Sequence, residues 1–318
     1  MLGDEMNTNK GFVISTLAIL MLMIGVPFAA AQNNGLQYQE SAGIVRLTTD
    51  DIDIRITGVS EVPHFHWWNP DNPSVDYHVM FVSMFEANDT NSDGIFELGV
   101  DERVGAPFAL PTTDWEFSGF LEETDGENVT AIHFNLTSTE TYDPRQPGGN
   151  DYGNIPDLPE FDVTIQLRVH LDLETPGEFK FDVIVDGWNW TYDDSILVMQ
   201  FTITQSAHGQ LQGDNDPEGF QRTGTRFEFT NGYMEYNETA LTAQNTLEVK
   251  ASYGEGIGEE AGESIYLAFE YFGNETLEYD PIIGITSTDS LILDPTLLLV
   301  GGIVVVIIVV AVLLKMRK

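Results

Sequence analysis

Apolar and polar side chains alternate along much of this chain, which is the pattern of strands that bury one face. The longest run covers residues 161–171, where Phe, Val, Ile, Leu, Val and Leu alternate with polar residues. Residues 179–185 repeat the pattern after a Thr-Pro-Gly turn at residues 175–177. These two runs therefore predict a β-hairpin.

Shorter runs of the same kind predict further strands, and no segment between the two ends of the chain carries an apolar stripe of helical period. The further runs are residues 52–56, 76–87, 129–136, 195–204, 225–229, 246–253 and 263–272. Strands that each have one apolar face must bury that face against a second sheet. The sequence therefore predicts an all-β fold, and specifically a β-sandwich over residues 32–289.

Residues 141–160 are rich in Pro and Gly and have no periodicity. Such a segment is either a linker between two β-domains or a long surface loop within one sandwich. We favour one continuous domain, because single β-domains of this size are common.

Two apolar runs lie at the ends of the chain. Residues 12–31 finish in three alanines, which is typical of a signal peptide cleaved after Ala31, although an uncleaved membrane helix is the alternative. Residues 297–314 rise about 27 Å as a helix, close to the thickness of a bilayer core. The bases at 315–318 then predict a cytoplasmic tail. Residues 290–296 become a short stalk, and the domain between the ends is extracellular.

Charge and composition limit the classes of partner that this protein is expected to bind. The formal net charge is −38, from 51 acidic and 13 basic residues, which argues against nucleic acid and anionic lipid as partners. This acidic charge balance favours the binding of cations, a strongly solvated surface, or a protein that works at high salt concentration. The chain has no Cys, so its core must be stable without disulfides. Predicted N-glycosylation sites are Asn128, Asn135, Asn189, Asn237 and Asn274.

One motif predicts a calcium site. In residues 89–97, oxygen-bearing side chains stand at positions 1, 3, 5 and 9 with Gly at position 6, so the chain can wrap around a hard cation. The predicted ligands are Asp89, Asn91, Asp93, the carbonyl of Ile95, and Glu97. A turn rich in Asn, Asp and Gly without a metal is the alternative.

This loop resembles the EF-hand loop but has Val100 where the EF-hand has its bidentate Glu, with Asp101 and Glu102 directly after it. Its flanks are strand-like, so it is more similar to the calcium loops of dockerin-like, thrombospondin type 3 and integrin β-propeller proteins. Over the whole chain, the signal sequence, the β-rich domain and the Val/Ile-rich anchor resemble those of uncharacterised single-pass surface proteins of archaea. That resemblance implies topology only.

A second candidate metal site is the pair His64 and His66, which lie on one face of a predicted strand. A Cu or Zn ion needs at least one more ligand, for which His78 and His133 are candidates. The alternative is a pair of surface histidines. Trp188 and Trp190 are likewise either a stacking platform for sugars or part of the core.

Known catalytic motifs are missing from the sequence, which has no Cys nucleophile, no G-x-S-x-G and no H-E-x-x-H. We therefore expect a non-enzymatic, calcium-stabilised and N-glycosylated surface protein that acts in binding, adhesion or envelope structure, with a glycan or a surface protein as its ligand. The alternative is an extracytoplasmic ligand-binding or redox domain with a transition metal or cofactor at His64 and His66.

Overall fold

The computed structural model describes residues 35–59, 63–110, 113–145, 159–207, 216–254 and 263–286. These ranges contain twenty β-strands and no α-helix, so the all-β prediction is confirmed for them. None of the described segments is a helix long and apolar enough to cross a bilayer. The predicted signal peptide, stalk, membrane span and tail lie outside the described residues.

The strands are numbered in chain order. The first ten are β1 (Gln37–Ser41), β2 (Ile44–Thr48), β3 (Asp53–Thr57), β4 (His64–Trp68), β5 (Val75–Asn88), β6 (Glu102–Ala109), β7 (Glu116–Phe117), β8 (Leu121–Asp125), β9 (Asn128–Tyr142) and β10 (Phe161–Asp172). The others are β11 (Glu178–Asp186), β12 (Ile196–Ala207), β13 (Gln221–Thr223), β14 (Arg226–Phe229), β15 (Gly232–Glu235), β16 (Thr239–Leu241), β17 (Thr246–Gly254), β18 (Glu263–Phe269), β19 (Leu277–Tyr279) and β20 (Ile282–Ile285).

The predicted hairpin is confirmed as β10 and β11, which pair antiparallel with Thr164 opposite Asp186 and His170 opposite Lys180. Along β10 the residues with odd numbers from Val163 to Leu171 are buried, as the alternation requires. Removing each such side chain from water contributes about 1.5–3 kcal/mol to folding.

The pairings, all antiparallel, build two sheets. The first sheet has the order β1–β2–β3–β4–β5–β12–β18–β17, and β6 continues alongside β5 beyond β4. In the second, β7 and β8 pair with β9, followed by β10 and β11, then β19 and β20; beyond β20 come β15, β14 and β13. The start of β17 pairs with β16 of the second sheet, so β17 passes from one sheet to the other.

Aromatic side chains of the two sheets meet in the core. The ring of Phe65 on β4 lies 5.8 Å from those of Phe179 and Phe181 on β11, centroid to centroid. Phe81 on β5 packs edge-to-face on Phe181 at 5.5 Å. This two-layer contact is consistent with the predicted sandwich.

Strands on either side of the Pro-rich segment at residues 141–160 pair with each other. Strands β9 and β10 form twelve residue pairs, from Phe161 opposite Tyr142 to Asp172 opposite Ala131. One hydrophobic cluster contains side chains from both halves of the chain. Residues 146–158 of the segment lie outside the described residues.

The face of the first sheet that points away from the second sheet, called the outer face below, is unlike at its two ends. One end is apolar and forms a small second core, made of Phe85, Ala87, Phe96, Ile196, Val198, Tyr266 and Ala268. The other end carries buried polar side chains, among them Ser83, His66, His78, Asp76, Gln200, Thr202, Ser206 and Ser264. Both faces of β12 are therefore buried, although only one face meets the main core.

Candidate metal centre

Three histidines, His64, His66 and His78, stand together at the polar end of the outer face and are called the histidine cluster. His64 and His66 are two residues apart on β4, so both side chains leave the strand on the side opposite to Phe65. Strand β5 places His78 directly across from His66. Register thus adds a third imidazole to the pair predicted from the sequence.

The three rings are close enough to share one ion. Ring centroids are 4.7 Å apart for His64 and His66, 4.3 Å for His66 and His78, and 5.4 Å for His64 and His78. One candidate ligand nitrogen from each ring lies within 4.8 Å of the other two. Among the described His, Asp and Glu residues, this is the one group of three that meets this distance.

The two buried rings each have one nitrogen near a hydroxyl group and one nitrogen with no partner. His78 Nε2 lies 2.7 Å from Ser206 Oγ, and His66 Nε2 lies 3.4 Å from Thr57 Oγ1. Nδ1 of both rings is buried without a hydrogen-bond partner. An Nε2–H that donates to the hydroxyl leaves the Nδ1 lone pair free. An unpartnered buried polar atom costs about 1–3 kcal/mol, and these two belong to rings whose centroids are 4.3 Å apart.

Burial keeps these rings neutral. It lowers the pKa of His66 to about 2, with the neighbouring His78, His64 and Arg55 adding to the effect. Burial likewise lowers the pKa of His78 to about 3, and the charges of His64 and Arg55 contribute smaller decreases. The pKa of His64 is lowered for the same reason, burial first and Arg55 second. Neutral imidazole is the form that binds transition metals.

A buried carboxylate and a guanidinium border the cluster. Arg55 on β3 is paired with His66, and its Nη2 lies 3.9 Å from Oδ2 of Asp76, whose side chain is fully buried. The guanidinium also lies 5.9 Å from the ring centroid of Trp68. The positive charge of Arg55 disfavours protonation of the histidines, and the carboxylate of Asp76 balances the charge of Arg55.

The predicted calcium ligands lie in one loop, residues 89–101, called the Asp89 loop. Here most side-chain oxygens accept backbone N–H groups of the loop itself. Asp89 accepts from Asp93 N at 3.2 Å and from Gly94 N at 2.6 Å, and Asp93 accepts from Ile95 N at 2.8 Å. The amide nitrogen of Asn91 lies 2.9 Å from Asp93 Oδ2 and 3.4 Å from Glu97 Oε2.

Asp101, buried at the end of the loop, closes it. Its Oδ1 accepts from Thr90 N at 2.9 Å and its Oδ2 accepts from Glu97 N at 2.7 Å. Phe96 then points inward, with its ring 5.1 Å from that of Phe85 and 5.2 Å from that of Tyr266. The Asp89 loop is therefore the cover of the apolar end of the outer face. Calcium in this loop stays a prediction.

Lys250 on β17 ties the loop to the sheet. Its Nζ donates to the carbonyl of Asp93 at 2.6 Å and lies 3.2 Å from Glu248 Oε2. Gly94 has a φ of +76°, and a Cβ there would approach Nζ to 3.1 Å. Glycine is thus favoured at position 6 of the motif by the backbone conformation, while Lys250 Nζ would have to shift slightly for a larger residue.

Other predicted positions are scattered over the surface and core. Among the predicted sequons, Asn128, Asn237 and Asn274 are exposed, whereas Asn135 and Asn189 are half-buried. Trp188 is buried and stacks on Tyr142, so it belongs to the core, and Trp190 packs partly buried against Tyr271 and Phe272. His133 lies on β9 of the second sheet, paired with His170. It is therefore not a third ligand of the His64–His66 pair.

Sequence reasoning missed the residues that orient the cluster. Thr57 and Ser206 approach from strands that are 9 and 128 residues away from their histidine partners. His170 and its contact with His133 were also missed. An imidazole in an alternating strand pattern looks the same whether it faces water or another imidazole, so only pairing reveals these contacts.

Comparison with known proteins adds no family. Neither a protein-family model nor a curated protein matches this chain. Function is therefore argued from the geometry of the site.

Proposed function

We propose that this protein is an extracytoplasmic, non-enzymatic β-sandwich binding protein, held by its C-terminal apolar run, that carries a transition-metal ion in the histidine cluster. The observation that carries the proposal is the pair of buried, unpartnered Nδ1 atoms of His66 and His78 beside His64. The signal-like and anchor-like runs support the extracytoplasmic place, where a glycan or an envelope protein is the expected macromolecular ligand.

The donor set favours copper. Imidazole nitrogens suit both Zn and Cu, and Cu²⁺ binds such sites more tightly than Zn²⁺. Met80 lies directly opposite His64 in the register of β4 and β5, and it shares the outer face with His78. A thioether is a soft donor that selects Cu⁺. Three imidazoles and one thioether are therefore a suitable ligand set for copper as Cu⁺ and as Cu²⁺.

Titration of the full-length chain with Cu²⁺, followed by isothermal calorimetry, tests this proposal. We expect tight binding that weakens by at least about 100-fold in His66→Gln and His78→Gln, since each variant removes one of three ligands. Thr202→Val is the matched control: it alters a buried hydroxyl on the same face of β12 that has no partner. Equal affinity in the parent chain and in the two histidine variants would reject the site.

A calcium ion in the Asp89 loop is a second candidate. It is favoured by the position of the Asn91 amide, which lies against the carboxylates of Asp93 and Glu97. Turning that amide places Oδ1 beside these two carboxylate oxygens, at the loss of the hydrogen bond that Asp93 N donates to Oδ1 at 3.3 Å. In this proposal calcium strengthens the cover of the small second core.

Thermal unfolding with calcium and with chelator distinguishes the two forms of the loop. We expect calcium to raise Tm of the parent chain by several degrees and to have no effect on the double variant Asp89→Asn/Asp93→Asn. The neighbouring Ser92→Ala is the control. If calcium raises the Tm of the parent chain and of the double variant equally, or changes neither Tm, the loop is a metal-free turn.

A further inference from the structure

A second pair of histidines lies on the other sheet, outside the histidine cluster. His133 on β9 and His170 on β10 are directly opposite each other. Their Nδ1 atoms are 2.6 Å apart, and the ring planes are inclined by 69°. Both side chains are partly exposed, at 20% and 26%, so solvent and ions reach them.

Each ring has a carboxylate at its far nitrogen. His170 Nε2 lies 3.1 Å from Asp182 Oδ2, which also accepts from Arg168 Nη1 at 3.1 Å. His133 Nε2 lies 3.0 Å from Glu123 Oε1, although without the alignment of a good hydrogen bond. Beside the Asp182 oxygen, Nε2 of His170 carries the ring proton, because two lone pairs would otherwise face each other.

Nδ1 of His170 then has a lone pair that points at Nδ1 of His133. At 2.6 Å the two nitrogens repel unless an electron-pair acceptor lies between them, either a proton or a metal ion. A carboxylate on the outer N–H of a metal-bound histidine fixes its tautomer and raises its basicity. Asp182 provides this arrangement for His170, and the exposed carboxylate of Glu123 lies 3.0 Å from Nε2 of His133.

The surroundings also favour a cation. The two rings open into a cleft of 410 Å³ that is lined by five acidic residues and one basic residue, Lys180. Burial and the charge of Asp182 raise the pKa of Asp280, so an added positive charge relieves repulsion in the cleft. An ion held by these two protein ligands would take its remaining ligands from water, which reaches the rings through the open cleft.

We infer that His133 and His170 bind a divalent transition-metal ion of the Zn²⁺ type between their Nδ1 atoms, in exchange for the proton that they share without it. Tetrahedral Zn²⁺ with bonds of about 2.0–2.1 Å holds two nitrogens ~3.4 Å apart, so the rings must separate by ~0.8 Å. Partly exposed side chains at the surface of a sheet can make this movement. The site is independent of the copper proposal, because it lies on the other sheet and shares no residue with it.

Isothermal calorimetry with Zn²⁺ on the full-length chain tests this inference. In His170→Gln the stoichiometry should fall by one ion per chain, while Cu²⁺ binding at His66 and His78 stays unchanged. The milder Asp182→Asn and Glu123→Gln should keep the stoichiometry and weaken Zn²⁺ binding by about 10–100-fold. Glu127→Gln, the same charge change in the β8–β9 turn, is the matched control and should bind as the parent chain does.

Nitrogen-15 NMR of the imidazoles supplies a second readout. With Zn²⁺ the Nδ1 signals of His133 and His170 should shift as metal-bound nitrogens while both Nε2 atoms stay protonated. Unchanged Zn²⁺ stoichiometry in His170→Gln overturns the inference. The inference is also overturned if a proton remains between the two rings at saturating Zn²⁺. The pair is then a hydrogen-bonded surface contact.

Discussion

The two ends of the outer face of the first sheet solve the same problem in opposite ways. At the apolar end, the Asp89 loop covers the sheet with Phe96, and the acidic side chains of the loop accept N–H groups of its own backbone. At the polar end, His66 and His78 are just as buried but keep a nitrogen without a partner. The acidic side chains of the first end therefore have hydrogen-bond donors, whereas the second end leaves Nδ1 of both histidines without a partner.

This comparison separates two kinds of metal candidate. The sequence motif in the Asp89 loop is the sharper one, yet its oxygens already have hydrogen-bond donors. The histidines have no motif beyond a spacing of two, yet their geometry leaves Nδ1 of His66 and of His78 without a hydrogen-bond partner. Buried nitrogens without a partner thus support our copper proposal, whereas a pattern of ligand-type residues supports our calcium proposal.

The largest expected effect concerns the apolar end. Phe96→Ala should lower the free energy of unfolding by about 3–5 kcal/mol, because it empties the centre of the small second core. Denaturant unfolding of the full-length chain measures this loss. The nearby Leu98→Ala, at a side chain that is 51% exposed, should change stability by less than about 0.5 kcal/mol. Similar losses in both variants would mean that the loop does not cover the sheet.

Acid should break the polar end. The pKa values of His66 and His78, about 2 and about 3, lie below the value of about 6.5 expected for an unfolded chain. The unfolded state therefore binds more protons, and stability falls as pH drops below 6.5. In the metal-free chain we expect a loss of about 2 kcal/mol per histidine between pH 7 and pH 5.

Unfolding in denaturant at pH 7, 6 and 5 checks this, and the double variant His66→Gln/His78→Gln should show a flatter dependence on pH. A parent chain that is equally stable at all three pH values contradicts the buried neutral state of both rings.

Loop closure by Asp101 should have an intermediate effect. Asp101→Ala leaves the N–H groups of Thr90 and Glu97 without their acceptor and should destabilise the fold by about 1–3 kcal/mol. Hydrogen exchange of these two amides should rise with it. Glu102→Ala, at the exposed neighbour, serves as the control. Unchanged protection of both amides would show that the carboxylate does not close the loop.

The smallest effect is expected at a residue that orients a ligand. Ser206→Ala should weaken Cu²⁺ binding by about 10-fold without abolishing it, because a hydroxyl that accepts from Nε2–H of His78 stabilises the tautomer with a free Nδ1 lone pair. Calorimetry measures the change, with Thr202→Val as the reference. A Ser206→Ala chain that binds as tightly as Thr202→Val would assign the hydroxyl a packing role only.

Much of the fold could be predicted from local patterns. The hairpin of β10 and β11, and the strands β3, β5, β9, β12, β14, β17 and β18, lie where alternation or apolar runs indicate them. Among the strands that were not predicted, β15, β19 and β20 have only three or four residues, which carry too little periodicity. Strands β19 and β20 pair with β11, and β15 pairs with β20.

By itself, the sequence determined the all-β class, the long strands and the pair His64–His66, since a period of two decides which side chains share a face. It also determined the acidic loop that begins at Asp89, since its residues are contiguous. Tertiary structure alone decided that His78, Ser206 and Thr57 meet at one site and that His133 faces His170. Strand register sets these contacts, and register depends on how whole sheets pair and bury their faces.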